Sequence, residues 1–86
     1  MEENKMTHWT ELLDELRSKD WMVACHNDYM AAGRRMTFWL FTHPCGLHVR
    51  GEGLTDAQAV ALAAQSAVAM EFNCKSLFDQ WREVRQ

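Results

Sequence analysis

The stretch GEGLTDAQAVALAAQSAV, residues 51–68, constrains the fold of this chain most strongly. Two glycines lead into an alanine-rich segment of high helix propensity. Thr55 is suited to cap the N-terminus of that helix, and Gln58 three residues later completes a capping box. Small side chains let a helix lie close to its neighbour. The stretch therefore predicts a strand end, followed by a helix that packs closely on a β-sheet.

The apolar pattern of this helix continues well past Val68. Spacings of three and four alternate through Val60, Ala63, Ala67, Met70, Cys74, Leu77, Trp81 and Val84. One helix of roughly 45 Å could run from Asp56 to about Arg85, or the chain could break at Asn73 and start a second helix near Ser76. A single helix would overhang a small sheet, so we favour a bend or break near Asn73. In either case we predict a self-association surface that consists of Leu77, Phe78, Trp81 and Val84.

The remaining segments predict one helix followed by three strands. Trp9, Leu12, Leu13 and Leu16 form the apolar stripe of a helix from Thr7 to about Lys19. Residues 21–30 and 36–43 read as strands, and the turn HPCG returns the chain into LHVRGEG. We therefore predict an α+β fold, αβββα, with a three-stranded antiparallel sheet, both helices on one face and a C-terminal helical extension. Residues 1–6 are expected to be a flexible tail, 7–72 the domain and 73–86 the extension.

Size and composition limit the possible classes of protein. The chain has 86 residues, which is enough for one domain with one core. Its formal charge of −3 argues against general affinity for a polyanion. It contains no apolar run of about 20 residues, and the segment MEENKMTHW lacks the basic and apolar regions that are typical of a signal peptide. Three irregularly spaced cysteines indicate reduced thiols. We expect a cytoplasmic protein that does not interact with membranes.

The two faces of the predicted sheet should differ in chemistry. With the turn at HPCG, Leu40 lies opposite Val49 and Phe38 opposite Gly51, on the face that the helices cover. The other face would then carry an aromatic and cationic patch, and the turn after the first strand adds two arginines. We predict that this surface binds a partner through Trp39, Phe41, His48, Arg50, Arg34 and Arg35. Two alternatives stay open: the C-terminal segment covers this face, or Trp39 and Phe41 are the core and Phe38 and Leu40 lie outside.

The order of helix, three strands and helix, together with GEGLTDAQAVALAAQSAV, resembles the double-stranded RNA-binding domain. That family contacts RNA through its first helix, the loop between its first two strands and lysines at the start of its last helix. Here the last-helix positions hold Thr55, Asp56 and Gln58, which lack positive charge, although the strand loop offers Arg34 and Arg35. The chain also resembles, in size, Trp content and arrangement, small accessory proteins of phages and mobile elements, including anti-CRISPR proteins.

Catalytic and metal-binding patterns are weak in this sequence. Cys25, His26, His43, Cys45 and His48 are residue types that bind zinc, but their spacing matches no zinc motif. A cysteine–histidine nucleophile would need a pocket and an oxyanion site, which a small sheet hardly provides. We therefore expect no catalytic residues, no metal and no cofactor.

Together these observations predict a small non-catalytic module that binds a protein partner. Its expected role is that of a phage or mobile-element accessory or inhibitor protein, with a homodimer as a companion hypothesis. The alternatives are a double-stranded RNA-binding protein of atypical charge and, third, a small zinc-dependent domain.

Overall fold

A computed structural model describes residues 9–85 of the protein. These residues fold into one antiparallel sheet with three helices. Along the chain lie α1 (Trp9–Ser18), β1 (Met22–Ala31), β2 (Arg34–Thr42), β3 (His48–Gly53), α2 (Asp56–Asn73) and α3 (Lys75–Arg85). The strand order is β1-β2-β3. This confirms the predicted αβββα arrangement with a C-terminal helix. The predicted tail of residues 1–6 and the Thr7 cap lie outside the described residues.

α1 ends in a turn that directs the next residue into the core. Asp20 has a φ of 73°, and the backbone N–H of Trp21 donates to the Leu16 carbonyl at 2.9 Å. This pattern is a Schellman motif, which closes a helix and reverses the chain. Trp21 is 1% exposed as a result. Its indole Nε1 donates to Glu71 Oε2 at 3.0 Å, which satisfies the one polar atom of the buried ring.

Two different hairpins join the strands. Ala32 and Gly33 connect β1 to β2, and their φ values of 52° and 75° fit a type I′ turn. The longer connection, residues 43–47, leads from β2 to β3 and is closed by the His43 N–H, which donates to the Leu47 carbonyl at 2.9 Å. β1 carries one irregularity between Val23 and Cys25.

α2 begins with the predicted cap and lies directly on β3. The Gln58 N–H donates to Thr55 Oγ1 at 3.2 Å, which confirms that Thr55 caps the helix. The Gln58 side chain reaches one residue further back than in a standard capping box, because its Oε1 accepts from the Leu54 N–H at 2.8 Å. The helix buries its small face, which consists of Ala59, Val60, Ala63 and Ala67.

The long apolar stripe is divided between two helices. α2 ends at Asn73, the Cys74 N–H donates to the Met70 carbonyl at 2.8 Å, and α3 begins at Lys75. The predicted break near Asn73 is therefore confirmed. The new helix direction brings Phe78 against Trp21, with ring centroids 6.1 Å apart.

The register of β2 differs by one residue from the prediction. Phe41 pairs with Val49, and Trp39 pairs with Gly51. The expectation that Trp39 and Phe41 face away from the helices is therefore wrong: they are 7% and 1% exposed, within the core. The alternative that placed them in the core is the observed one. The reason is geometric, because side chains alternate between the faces of a strand and a shift of one residue exchanges them all.

Candidate functional site: the open face of the sheet

Within residues 9–85, one face of the sheet packs against the helices and the other does not. Along β2, Thr37, Trp39 and Phe41 are buried, whereas Phe38 and Leu40 between them stay partly exposed. The helices make their contacts on the buried face: α2 packs on β3 and β2, and Trp9 of α1 places its ring 6.0 Å from that of Trp39. We call the opposite side the open face. By the strand register it carries Met22, Cys25, Asn27, Tyr29, Arg34, Met36, Phe38, Leu40, Thr42, His48, Arg50 and Glu52.

The open face has an apolar centre and a polar border. Met36, Phe38 and Leu40 follow one another along the central strand. Arg50 lies opposite Leu40 and His48 opposite Thr42, so a guanidinium and an imidazole border one side of the apolar stripe. An open depression of about 710 Å³ covers this corner and continues past the edge of β3 to Ser66 and Met70 of α2.

A hydrogen bond crosses the other end of the open face. Tyr29 of β1 reaches over β2, and its hydroxyl donates to Glu52 Oε2 of β3 at 3.2 Å. Partial desolvation and the adjacent Glu52 carboxylate raise the pKa of the Tyr29 phenol. The phenol therefore stays protonated and available as a donor at neutral pH. The open face thus has one end bridged by Tyr29 and Glu52 and another end, beside Arg50, that is open.

The six predicted partner-binding residues fall into three groups. His48 and Arg50 are exposed on the open face, as predicted, but their apolar neighbours are Phe38 and Leu40. Trp39 and Phe41 are in the core. Arg34 and Arg35 lie exposed at the base of the type I′ turn. The structure therefore separates residues that the sequence analysis had joined in one patch.

The hairpin arginines are partly neutralised within the hairpin. Arg35 Nη2 contacts Asp28 Oδ2 at 2.6 Å across β1 and β2. The hydrogen bond from Arg35 holds the pKa of the Asp28 carboxyl below its usual range. Because this pair sums to zero charge, the hairpin presents less positive charge than two arginines imply.

A polar cluster at the start of α2 was not predicted. Asp56 Oδ1 accepts from Trp39 Nε1 at 3.0 Å and from Thr37 Oγ1 at 3.2 Å. His26 Nε2 lies 3.4 Å from the same oxygen, and its ring stacks on Trp39 at 4.0 Å between centroids. The sequence signal was Asp56 at the first position of a helix, where a carboxylate suits the helix dipole. In the structure this carboxylate satisfies the buried indole N–H and fixes α2 to the sheet.

The predicted self-association surface is also divided. Phe78 is 2% exposed, and Trp81 packs edge-on against His43 with centroids 4.7 Å apart. Leu77 and Val84 are 37% and 85% exposed. Phe78 and Trp81 thus hold α3 to the rest of the chain, and the expectation that Phe78 lies on the surface is wrong.

His43 forms the centre of the contact that holds α3. It is 5% exposed, and its ring packs edge-on against Trp21, Phe78 and Trp81. Its Nδ1 accepts from the Cys45 N–H at 3.0 Å, so this nitrogen carries no proton. Burial lowers the pKa of His43, although a hydrogen bond to the Lys19 backbone opposes the shift.

Within residues 9–85 no three or more His, Cys, Asp or Glu side chains come together as a metal site. The three cysteines are free thiols, each partly buried. In the same part of the chain, no helix combines the length and the apolar character that crossing a membrane requires. Comparison with known proteins gives no match to any family model, curated protein or solved structure.

Proposed function

We propose that this protein is a small non-catalytic module that binds another protein through the open face of its sheet. The observation that carries the proposal is an apolar stripe along the central strand, Phe38 and Leu40 above all, that the helices leave uncovered. Proteins that act alone usually bury the apolar side of a sheet, and an uncovered patch with a polar border is typical of an interaction site.

The chemistry of the face favours a particular kind of partner. Phe38 and Leu40 supply apolar contact area, and Arg50 beside them supplies a planar donor suited to a carboxylate. The matching surface on a partner would present an apolar side chain next to an acidic one. The net charge of −3 and the pairing of Arg35 with Asp28 both reduce attraction to nucleic acid. Protein binding is therefore preferred over RNA binding.

The narrower biological role is part of the same proposal. The chain would serve as an accessory or inhibitor protein of a phage or mobile element, such as an anti-CRISPR protein, acting on a host macromolecule. What supports this role is the resemblance in size, Trp content and arrangement to small accessory proteins of phages and mobile elements. Inhibition by binding alone requires no catalytic group, which agrees with the character of the open face.

Affinity capture with matched variants tests the proposal. The tagged protein is used to isolate a partner from its native host, and affinity is then measured for the wild type and for Leu40→Glu. We expect Leu40→Glu to weaken binding at least tenfold, because it places a charge in the apolar contact. Gln65→Glu, on the exposed side of α2, is the control and should bind like the wild type.

Two outcomes would overturn the proposal. One is a captured protein that binds Leu40→Glu as tightly as the wild type. The other is binding to an RNA duplex of about 16 base pairs with a strong salt dependence that Arg34→Glu abolishes, which would favour the double-stranded RNA-binding alternative. Circular dichroism of each variant confirms that the fold is retained.

A further inference from the structure

β1 is an edge strand whose outer side has no partner within the described chain. It pairs with β2 alone, and nine of its ten residues are exposed. Met22 and Met30 near its ends are 62% and 67% exposed. Edge strands of this length are usually protected by charged side chains such as lysine, by proline, by a bulge or by a covering segment, because their free N–H and C=O groups can pair with another chain. β1 contains neither lysine nor proline, and its bulge lies near one end, between Val23 and Cys25.

The β1–β2 turn determines which backbone groups of β1 point outwards. In a two-residue hairpin the flanking residues, here Ala31 and Arg34, form a hydrogen-bonded pair, and such pairs alternate along the ladder. The backbone groups of Asn27 are therefore directed towards β2. Those of His26, Asp28 and Met30 are directed towards the free edge.

We infer that β1 pairs antiparallel with β1 of a second copy, on a twofold axis at Asn27. Residues that pair across two strands must have their side chains on the same face of the sheet. One residue of β1 is therefore paired with the same residue of the second copy, and the twofold axis lies between these two. An axis at Asn27 places His26 opposite Asp28 of the second copy, twice by symmetry. An axis at Asp28 would oppose two carboxylates, and an axis at His26 would oppose two imidazoles. A histidine ring N–H can donate a hydrogen bond to a carboxylate that lies opposite it, whereas two opposed carboxylates repel each other.

The same axis satisfies the backbone. His26 and Asp28 are the residues with outward N–H and C=O groups, so each cross-copy pair exchanges both of its main-chain hydrogen bonds. Asn27 meets Asn27 of the second copy as a non-hydrogen-bonded pair. The bulge between Val23 and Cys25 lies beyond this central region and does not interrupt it. Two three-stranded sheets would thereby become one sheet of six strands.

The dimer does not depend on the proposed function. It places self-association at the edge of β1 and not at the C-terminal stripe. Phe78 and Trp81 use much of the C-terminal stripe within the chain, whereas no other strand of residues 9–85 pairs with the outer edge of β1. In the six-stranded sheet the two open faces would lie side by side, so the assembly would present one continuous, twofold-symmetric surface.

A disulfide test distinguishes the proposed register from other ways to associate. Residues in a non-hydrogen-bonded antiparallel pair have Cα atoms about 4.5 Å apart, within the range for a disulfide. In a chain with Cys25, Cys45 and Cys74 replaced by serine, we expect Asn27→Cys to form a covalent dimer under mild oxidation. Val84→Cys in the same background tests the C-terminal stripe and should stay monomeric. Leu40→Glu should leave the cross-link intact. A loss of partner binding at the open face can therefore be distinguished from a loss of this dimer.

Sedimentation of the wild-type chain provides the second measurement. We expect a mass that approaches twice the 10.0 kDa of one chain as concentration rises. A mass of one chain at the highest soluble concentration would overturn the proposal. So would a wild-type dimer in which Asn27→Cys does not cross-link, or in which Val84→Cys does so instead.

Discussion

Gly51 is predicted to be the least replaceable residue of the sheet. A Cβ atom at this position would lie 1.8 Å from the Ala59 carbonyl oxygen and 2.8 Å from the Ala63 nitrogen. Both obstructing atoms belong to the backbone of α2, so no side-chain rotation can move them away. Glycine is required here for space, because the positive-φ glycines of the described chain are Gly33 and Gly46.

The size of the effect follows from this contact. To accept alanine, α2 would have to move from β3 by more than about 1 Å, and a gap of 0.5–1 Å already forfeits a quarter to a half of a dispersion contact. Inserting one carbon into a packed core typically costs about 1–3 kcal/mol of stability. Because the atoms that obstruct it belong to the backbone and cannot rotate away, we expect Gly51→Ala to lose about 3 kcal/mol or more. A domain of this length has about 4–13 kcal/mol of stability in total.

Urea denaturation measures this loss. With a slope of about 1.5 kcal/mol per molar, the unfolding midpoint of Gly51→Ala should fall by about 2 M. Gly33→Ala is the matched control. A Cβ there meets nothing within 4 Å, so its cost of about 1–2 kcal/mol comes from the left-handed backbone alone. If Gly51→Ala loses no more stability than Gly33→Ala, the close approach of α2 to β3 is refuted.

Two further predictions concern polar groups that are in the core or contact it. Because burial lowers the pKa of His43 below the ordinary 6.5, the unfolded chain takes up a proton before the folded one does as pH falls. The free energy of unfolding should therefore decrease from about pH 6.5 downwards, by at most about 1.4 kcal/mol per pH unit for this group. Urea titrations at several pH values should show that the free energy of unfolding decreases less with falling pH in His43→Gln than in the wild type. The same pH dependence in both proteins would contradict this prediction. Asp56→Ala should cost about 1–3 kcal/mol, since it leaves Trp39 Nε1 without its acceptor. Asp79→Ala, which removes an exposed ion pair with Lys75, should cost less than about 1 kcal/mol by the same thermal or urea assay, and equal losses would contradict the role of Asp56.

Local patterns in the sequence were sufficient for the elements and their order. The cap at Thr55, the alanine face of α2 and the break at Asn73 each depend on residues close together in the chain. The faces of β3 were also predicted correctly, since Val49 and Gly51 lie towards the helices, and His48 and Arg50 lie away from them.

The faces of β2 could not be predicted with the same means. They depend on the length of the connection from β2 to β3, and an error of one residue in its length exchanges Trp39 and Phe41 with Phe38 and Leu40. Gly51 held a usable signal: a large ring such as Trp39 fits opposite a residue without a side chain, under a helix that approaches closely.

The contacts that attach α2 and α3 to the sheet join residues far apart in sequence. Asp56 meets Trp39 and His26, and His43 meets Trp21 and Phe78, through positions that only the folded chain brings together. No local period indicates such pairs. The contacts of Asp56 hold the start of α2 to the sheet, and the contacts of His43 hold α3 to the rest of the chain.

The alternation along β2 also bears on how such a chain can change over generations. Trp39 and Phe41 are constrained by the helices, while their immediate neighbours Phe38 and Leu40 lie on the open face. Substitutions at these two neighbours should therefore cost less folding stability than substitutions in the core. If the open face binds a partner as proposed, mutations at Phe38 and Leu40 can change its specificity while the scaffold that Trp39 and Phe41 hold stays the same.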